Sequence, residues 1–256
     1  MPLCIQSVIN QTYEKWKLVL IDDASTEDYL PSIQEVLTDR RVILVRNLDN
    51  KGQSMSLNKG LEYVETPFVV QLDSDDLFYP YTLEVMMQEA LKQSEDVGLI
   101  CGNMKIIVED SDGRIKSSRI KKGDSFEDPY DFLLANKTLC PRLYRTTALQ
   151  RIGGWPTDDP YNGRYREDMR TLYRLIEKFK FHWIDKELYI VRIHQNNHTS
   201  QISKYVEMMN WSVNNALQRL GDKYEPVFED IDDGWKRIAY LKPKIPHSKQ
   251  GDHHDG

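Results

Sequence analysis

The segment Asp73-Ser74-Asp75-Asp76 places three carboxylates within four residues, directly after an apolar run from Phe68 to Leu72. Charges packed this closely repel one another unless a cation or a proton relieves them. A hard divalent ion, Mg2+ or Mn2+, suits such oxygen ligands and completes its shell with water and phosphate. The chemistry this points to is cleavage of a bond to a diphosphate, where a metal neutralises the charge on the departing group. A second acidic cluster, Asp22-Asp23-Ala24-Ser25-Thr26, ends another apolar run, Lys17 to Ile21. Asp and Ser also cap helices, and that structural use competes for the second cluster.

The elements that must carry these clusters follow from periodicity. Lys17 to Ile21, Val42 to Val45 and Phe68 to Leu72 are predicted strands, with Gly98 to Cys101 and Met104 to Val108 as two more. Tyr29 to Leu37, Gln53 to Val64 and Leu83 to Lys92 carry apolar residues at spacings of three and four and are predicted helices. This alternation implies an α/β fold with a mostly parallel sheet flanked by helices, and in such a sheet ligands bind beyond the carboxyl ends of the strands. Both acidic clusters would meet there. Asp112-Gly113 marks a hairpin where the sheet turns antiparallel. After about residue 125 the pattern loosens into loops, then a helix from Arg166 to Lys178, short strands Phe181 to Ile184 and Leu188 to Arg192, and a last helix Ser203 to Leu220. These suggest one domain over residues 1–200, a helical extension over 201–243 and a polar tail over 244–256.

The 256 residues are 40% hydrophobic, enough for a sizeable core without disulfides. Cys4, Cys101 and Cys140 are widely spaced and odd in number, as expected of free thiols. No apolar run approaches the length that spans a bilayer, and the first residues do not read as a secretory signal, so the expected location is the cytoplasm. A net charge of −6 argues against nucleic acid, although Lys116 to Lys122 is locally basic. Composition leaves a homo-oligomer open.

Gln6-Ser7-Val8-Ile9-Asn10-Gln11-Thr12-Tyr13, Ile21-Asp22-Asp23-Ala24-Ser25-Thr26, Asn47-Leu48-Asp49-Asn50-Lys51-Gly52 with Asn58-Lys59-Gly60, and Leu72-Asp73-Ser74-Asp75-Asp76 follow one another in the chain. Arg151-Ile152-Gly153-Gly154-Trp155, Arg166-Glu167-Asp168 and Tyr189-Ile190-Val191-Arg192-Ile193-His194 continue the series. Together they closely resemble the inverting family 2 glycosyltransferases of GT-A fold, over about residues 4 to 200. The resemblance implies transfer of a sugar from a nucleotide-diphosphate sugar, usually a UDP-sugar, to a hydroxyl acceptor such as a growing glycan.

It also implies roles. Asp22 or Asp23 would accept a hydrogen bond from the base, with Lys51 and Gly52 beside the nucleotide. Asp73 would serve the ribose and the metal, Asp75 would ligate the metal and Asp76 would cap the next helix. His194 would meet the metal or the diphosphate. Gly154, Trp155 and Glu167 would lie at the acceptor, with Trp155 either stacking on sugar or buried as core. Inversion requires a base on the acceptor side, and Asp168 stands in the family's position for it. Family members begin with a strand about 20 residues upstream of the Ser7 string. The resemblance therefore implies that the first strand of the fold is absent here, with open edges on its two neighbours. Two alternatives stand beside this reading: a glycosyltransferase-like module that binds without turnover, and a metal-dependent phosphoryl-transfer enzyme, whose Asp-x-Asp motif wants Thr or Val where Leu77 stands.

Overall fold

The computed structural model describes residues 1–193, 202–231 and 234–245. Helix α1 (Pro2–Ile9) leads to strand β1 (Leu18–Asp22), a short helix α2 (Leu30–Ile33), a 3-10 turn (Val36–Thr38) and strand β2 (Val42–Arg46). Next come α3 (Gln53–Leu61), β3 (Phe68–Gln71), β4 (Leu77–Phe78), α4 (Thr82–Ala90), β5 (Val97–Glu109) and β6 (Ile115–Lys121). The second half holds α5 (Pro129–Ala135), β7 (Cys140–Arg145), α6 (Thr146–Arg151), α7 (Glu167–Ile176), β8 (Lys180–Ile193), α8 (Ile202–Arg219), β9 (Tyr224–Asp230) and β10 (Lys236–Pro243).

The α/β class holds, but the strand directions depart from the expected mostly parallel sheet. β1 and β2 pair in parallel as a separate two-stranded sheet. The main sheet runs β3-β7-β5-β8-β4, with β6 also paired to β5. Within it only β5 and β8 are parallel; β3–β7, β5–β7, β4–β8 and β5–β6 are antiparallel. β7 accounts for two of these pairings: the unforeseen strand from Cys140 inserts antiparallel between β3 and β5. β1 and β3 each lie at the edge of their own sheet.

The two strands expected on either side of Gly102 are a single thirteen-residue β5, buried over most of its length. It bends without breaking, because Gly102 admits Leu188: a Cβ there would lie 2.7 Å from that side chain. The Asn103 amide group holds the bend, donating to Asp185 and accepting from Gly123 N and Trp183 Nε1. β8 likewise merges the two strands predicted in its span.

Residues 201–243 are more than a helical extension, since α8 is followed by the antiparallel hairpin β9–β10. Met209, Val213, Ala216 and Leu217 of α8 and Ile238 of β10 share one core with Phe132, Tyr144, Leu149, Leu172 and Phe181. A second core joins Val8 of α1 to Met104, Ile106, Cys140 and Tyr189, with Leu18, Val42, Val70 and Leu72 against it. This second core lies beneath the carboxylates. The three cysteines are buried free thiols, as expected. No helix among the described residues is long and apolar enough to cross a membrane.

Candidate active site

Asp73 leaves the end of β3 and is tied down on every side. Its backbone N–H donates to the Tyr189 hydroxyl at 3.2 Å and its carbonyl accepts from the Cys4 thiol and from Asp76 N. Its Oδ1 accepts from Gln71 Nε2 (3.1 Å) and Gln53 Nε2 (3.4 Å). Its Oδ2 lies 3.6 Å from Nη2 of Arg142, a guanidinium only 4% exposed. The other arm of that guanidinium, Nη1, lies 3.4 Å from Oδ2 of Asp168. Arg142 thus stands between the acid assigned to the donor and the acid assigned as base. Its Nε is buried without a hydrogen-bond partner among the described residues.

Asp168 occupies the first turn of α7, which starts where Arg166 takes a left-handed conformation (φ 52°). That start suits carboxylates, because the helix dipole favours negative charge there. Glu167 feels the opposite pressure: burial first, then the charges of Asp168 and Asp73, push its carboxyl up to about 8. Burial likewise raises Asp73, against the pull of Arg142. Asp76 is 6% exposed, accepts from Arg192 N, and is pushed up to about 7 by burial and by the charges of Asp73 and Asp75. Asp73 and Asp76 both feel the charge of Asp75, a mutual repulsion that a cation would relieve.

The chemistry of the donor set fits Mg2+ or Mn2+, with Asp75 and Asp73 offering hard oxygens. Among the described residues no three His, Cys, Asp or Glu side chains converge into a preformed cage. Two carboxylates with substrate phosphates and water are a common arrangement for these ions. His194, expected to join them, lies outside the described residues.

At the end of β1 both acids are engaged by the protein. Asp22 is 3% exposed and accepts from Ser25 N and Arg46 Nε, each at 2.8 Å. Burial alone would raise it, but these bonds hold it below the usual carboxylate range. Asp23 accepts from Asn47 Nδ2, Lys51 N and Gly52 N, all at 2.8 Å. Gly52, at φ 86°, caps α3, and a Cβ there would lie 2.8 Å from Arg164 Cγ. Asp23 therefore fixes the Lys51–Gly52 loop at the start of α3, and Gln53, the next residue, reaches Asp73. Asp22, Asp23, Lys51, Gly52 and Asp73 are brought into one connected corner.

The acceptor-side residues divide. Glu167 adjoins Asp168. Trp155, whose face was one candidate for sugar stacking, is instead core: it is 3% exposed, meets Tyr144 edge-on at 5.8 Å and directs Nε1 at Gln71. Gly154 is buried too, because Asn58 clamps this turn, donating to Trp155 O and accepting from Trp155 N. A Cβ on Gly154 (φ 75°) would lie 2.3 Å from Asn58 Oδ1. The close neighbour of this glycine, expected at the acceptor, is Asn58. The sequence reading missed Arg142, Gln53 and Tyr189. An arginine alternating with Cys140 and Tyr144 inside an apolar stretch was the available signal for Arg142.

The architecture is that of the GT-A fold. The chain belongs to glycosyl transferase family 2, whose model matches residues 1–153. A UDP-Glc:alpha-D-GlcNAc-diphosphoundecaprenol beta-1,3-glucosyltransferase of Escherichia coli is 34% identical over 103 residues, 40% of this chain and 40% of that protein. Among solved structures, S. aureus TarS 1-349 in complex with UDP-GlcNAc aligns over 83% of this chain and 62% of that one, with TM-score 0.59 and 18% identity. The mannosyltransferase PcManGT of Pyrobaculum calidifontis, in complex with GDP-Man and Mn2+, aligns over 84% of this chain and 59% of that one, with TM-score 0.59 and 16% identity. The chain spans 30% to 40% of the length of the first curated relatives it matches.

Proposed function

We propose that the chain transfers a sugar from a UDP-sugar to a hydroxyl acceptor with inversion at the anomeric carbon. The observation that carries this reading is the ion-pair chain Asp73–Arg142–Asp168, which sets a donor-side acid and an acceptor-side acid on one guanidinium. Asp168 takes the proton of the acceptor hydroxyl as its oxygen bonds to the anomeric carbon, and the nucleoside diphosphate departs from the opposite side. Asp75 and Asp73 would hold Mg2+ or Mn2+, which supplies charge neutralisation for the diphosphate. The Asp23-anchored loop and the start of α3 receive the nucleotide, where a helix N-terminus favours an anion. Support for the donor comes from the UDP-Glc named for the E. coli relative and the UDP-GlcNAc in TarS. Support for the metal comes from the Mn2+ in PcManGT.

Hydrolysis of a panel of nucleotide-sugars with Mn2+, compared between the natural chain and Asp75→Ala, tests the reading. Metal-dependent release of UDP that the substitution abolishes is expected. UDP binding without turnover on any donor would make the chain a binding module, and failure to bind any nucleoside diphosphate with Mn2+ would remove the donor site itself.

A further inference from the structure

Arg114 to Lys122 holds five cations in nine residues and no acid, in a chain of net charge −6. Two of these cations are placed with respect to the site. Arg119 and Lys121 stand opposite Ile106 and Met104 in the β5–β6 ladder. Residues paired across an antiparallel ladder project from the same face. Ile106 and Met104 pack with Cys140 and Tyr189, the residues beneath Asp73 and Arg142. β8 occupies the other edge of β5, so β6 and β7 line up along the same edge, Lys121 opposite Met104 and Cys140 opposite Gly102. A file of residues on one sheet face thus runs from Arg119 through Lys121 and Cys140 to Arg142, in steps of about 7 Å.

Along this file the charges are treated differently. Arg142 is neutralised by Asp73 and Asp168. Lys122, which points the other way, pairs with Asp185, and Lys137 pairs with Asp124. Arg119 and Lys121 have no carboxylate partner among the described residues. Lys121 is nevertheless half-buried, and burial lowers its ammonium below the usual lysine range. A half-buried ammonium without an anion is costly to keep, and this one lies along the file that leads to Arg142 and Asp168.

We propose that Arg119 and Lys121 form an anion site within the acceptor subsite, so that the acceptor is a sugar carrying phosphate. The inference rests on Asp168 acting as the acceptor-side base. The phosphate could be that of a lipid-linked sugar diphosphate or that of a polyol-phosphate chain; the recognising chemistry is shared.

The test is calorimetry of the full chain with UDP and Mn2+ present. The probes are a short-alkyl GlcNAc-diphosphate, a GlcNAc-bearing glycerol phosphate oligomer and the neutral methyl glycoside of GlcNAc. The natural chain is expected to bind a phosphate-bearing probe about tenfold more tightly than the neutral glycoside, and R119A/K121A to lose that margin. Lys105→Ala, which removes a single cation from the opposite face of β5, is expected to keep it, and R119K/K121R to restore it. The tighter of the two phosphate probes identifies the source, and equal affinity means that phosphate is read regardless of its carrier. No preference for phosphate, or a preference that survives R119A/K121A, overturns the proposal. So does weakened UDP binding in that variant, which would assign the cations to the donor. If UDP fails to bind the natural chain, the donor reading falls, and the same titrations without nucleotide still decide the anion site.

Discussion

Arg142 and Asp168 face each other across the floor of the site, with Nη1 3.4 Å from Oδ2. The arginine has almost no access to water, and among the described residues its charge is balanced by Asp168 and Asp73. Arg142→Ala leaves both acids without their cation and is expected to destabilise the fold by roughly 3–5 kcal/mol. Arg142→Lys keeps the charge and loses the two-armed reach, so it should fold and lower kcat more than it raises the donor KM. Urea unfolding together with steady-state kinetics checks both. A lysine variant with normal kcat would confine Arg142 to a structural role.

Asp168→Asn keeps the shape of the side chain and a carbonyl oxygen for Arg142, but cannot take a proton at neutral pH. UDP affinity is expected to stay unchanged while kcat falls by roughly 10²–10⁴. Calorimetry with UDP and single-turnover transfer measure the two halves. Loss of UDP binding with normal turnover would refute its role as base.

Asp23 accepts from Asn47, Lys51 and Gly52 at once. Asp23→Ala releases that loop, and the expected loss is on the order of 2 kcal/mol with weaker UDP binding. A variant with unchanged melting temperature and lost UDP affinity would show instead that this carboxylate faces the nucleotide directly.

Gly154→Ala combines a left-handed φ with a near collision against Asn58 Oδ1. More than about 1–2 kcal/mol should be lost, since the conformation alone costs that much. Asn58→Ala removes the obstacle but leaves Trp155 N and O unpaired, so the double substitution should not recover the natural stability. Thermal melts of the three variants give the answer, and full recovery in the double variant would show the clash to be the whole effect.

Glu167 sets a pH dependence whose sign follows from its raised pKa. Between its ordinary 4.5 and about 8, the folded state holds a proton that the unfolded state has released. Stability therefore falls as pH rises through that window. Without metal or nucleotide, the melting temperature should decline from pH 5 to pH 8 in the natural chain and decline less in Glu167→Gln, with the variant more stable at pH 8. Parallel curves for the two proteins would rule out Glu167 as the source.

Strand–acid junctions were the legible part. Lys17 to Asp23 and Phe68 to Asp76 announced the strands and the acids at their ends, because an apolar run stopping at charged residues is local in sequence. β7 was not legible: Cys140-Pro141-Arg142 puts a proline and a charge in a central strand, and only tertiary pairing with β3 and β5 makes that acceptable. Helix α5 had its signal, since Asp128 caps it by accepting from Tyr130 N and Asp131 N and Pro129 sits in its first turn. With only seven residues it lacked the length for a periodic pattern. Trp155 shows a different limit, because its type suits a sugar face and a core equally and only the clamp of Asn58 decides between them.

The parallel pair β1–β2 shares no backbone ladder with the main sheet. Its connections to the rest of the fold include the side chains of Leu18 and Val42 in the second core, the Lys17–Glu65 ion pair, the packing of Gly60 on Ile21 and the Asp23 bonds to the start of α3. Side-chain contacts yield more easily than a hydrogen-bonded ladder, so this pair should open as a unit of its own while β5, β7 and β8 stay closed. Its amides should exchange with solvent ahead of theirs. A nucleotide that grips Asp23 and Asp73 together would close that seam, and part of its binding energy would be spent as cooperativity between two halves of one fold.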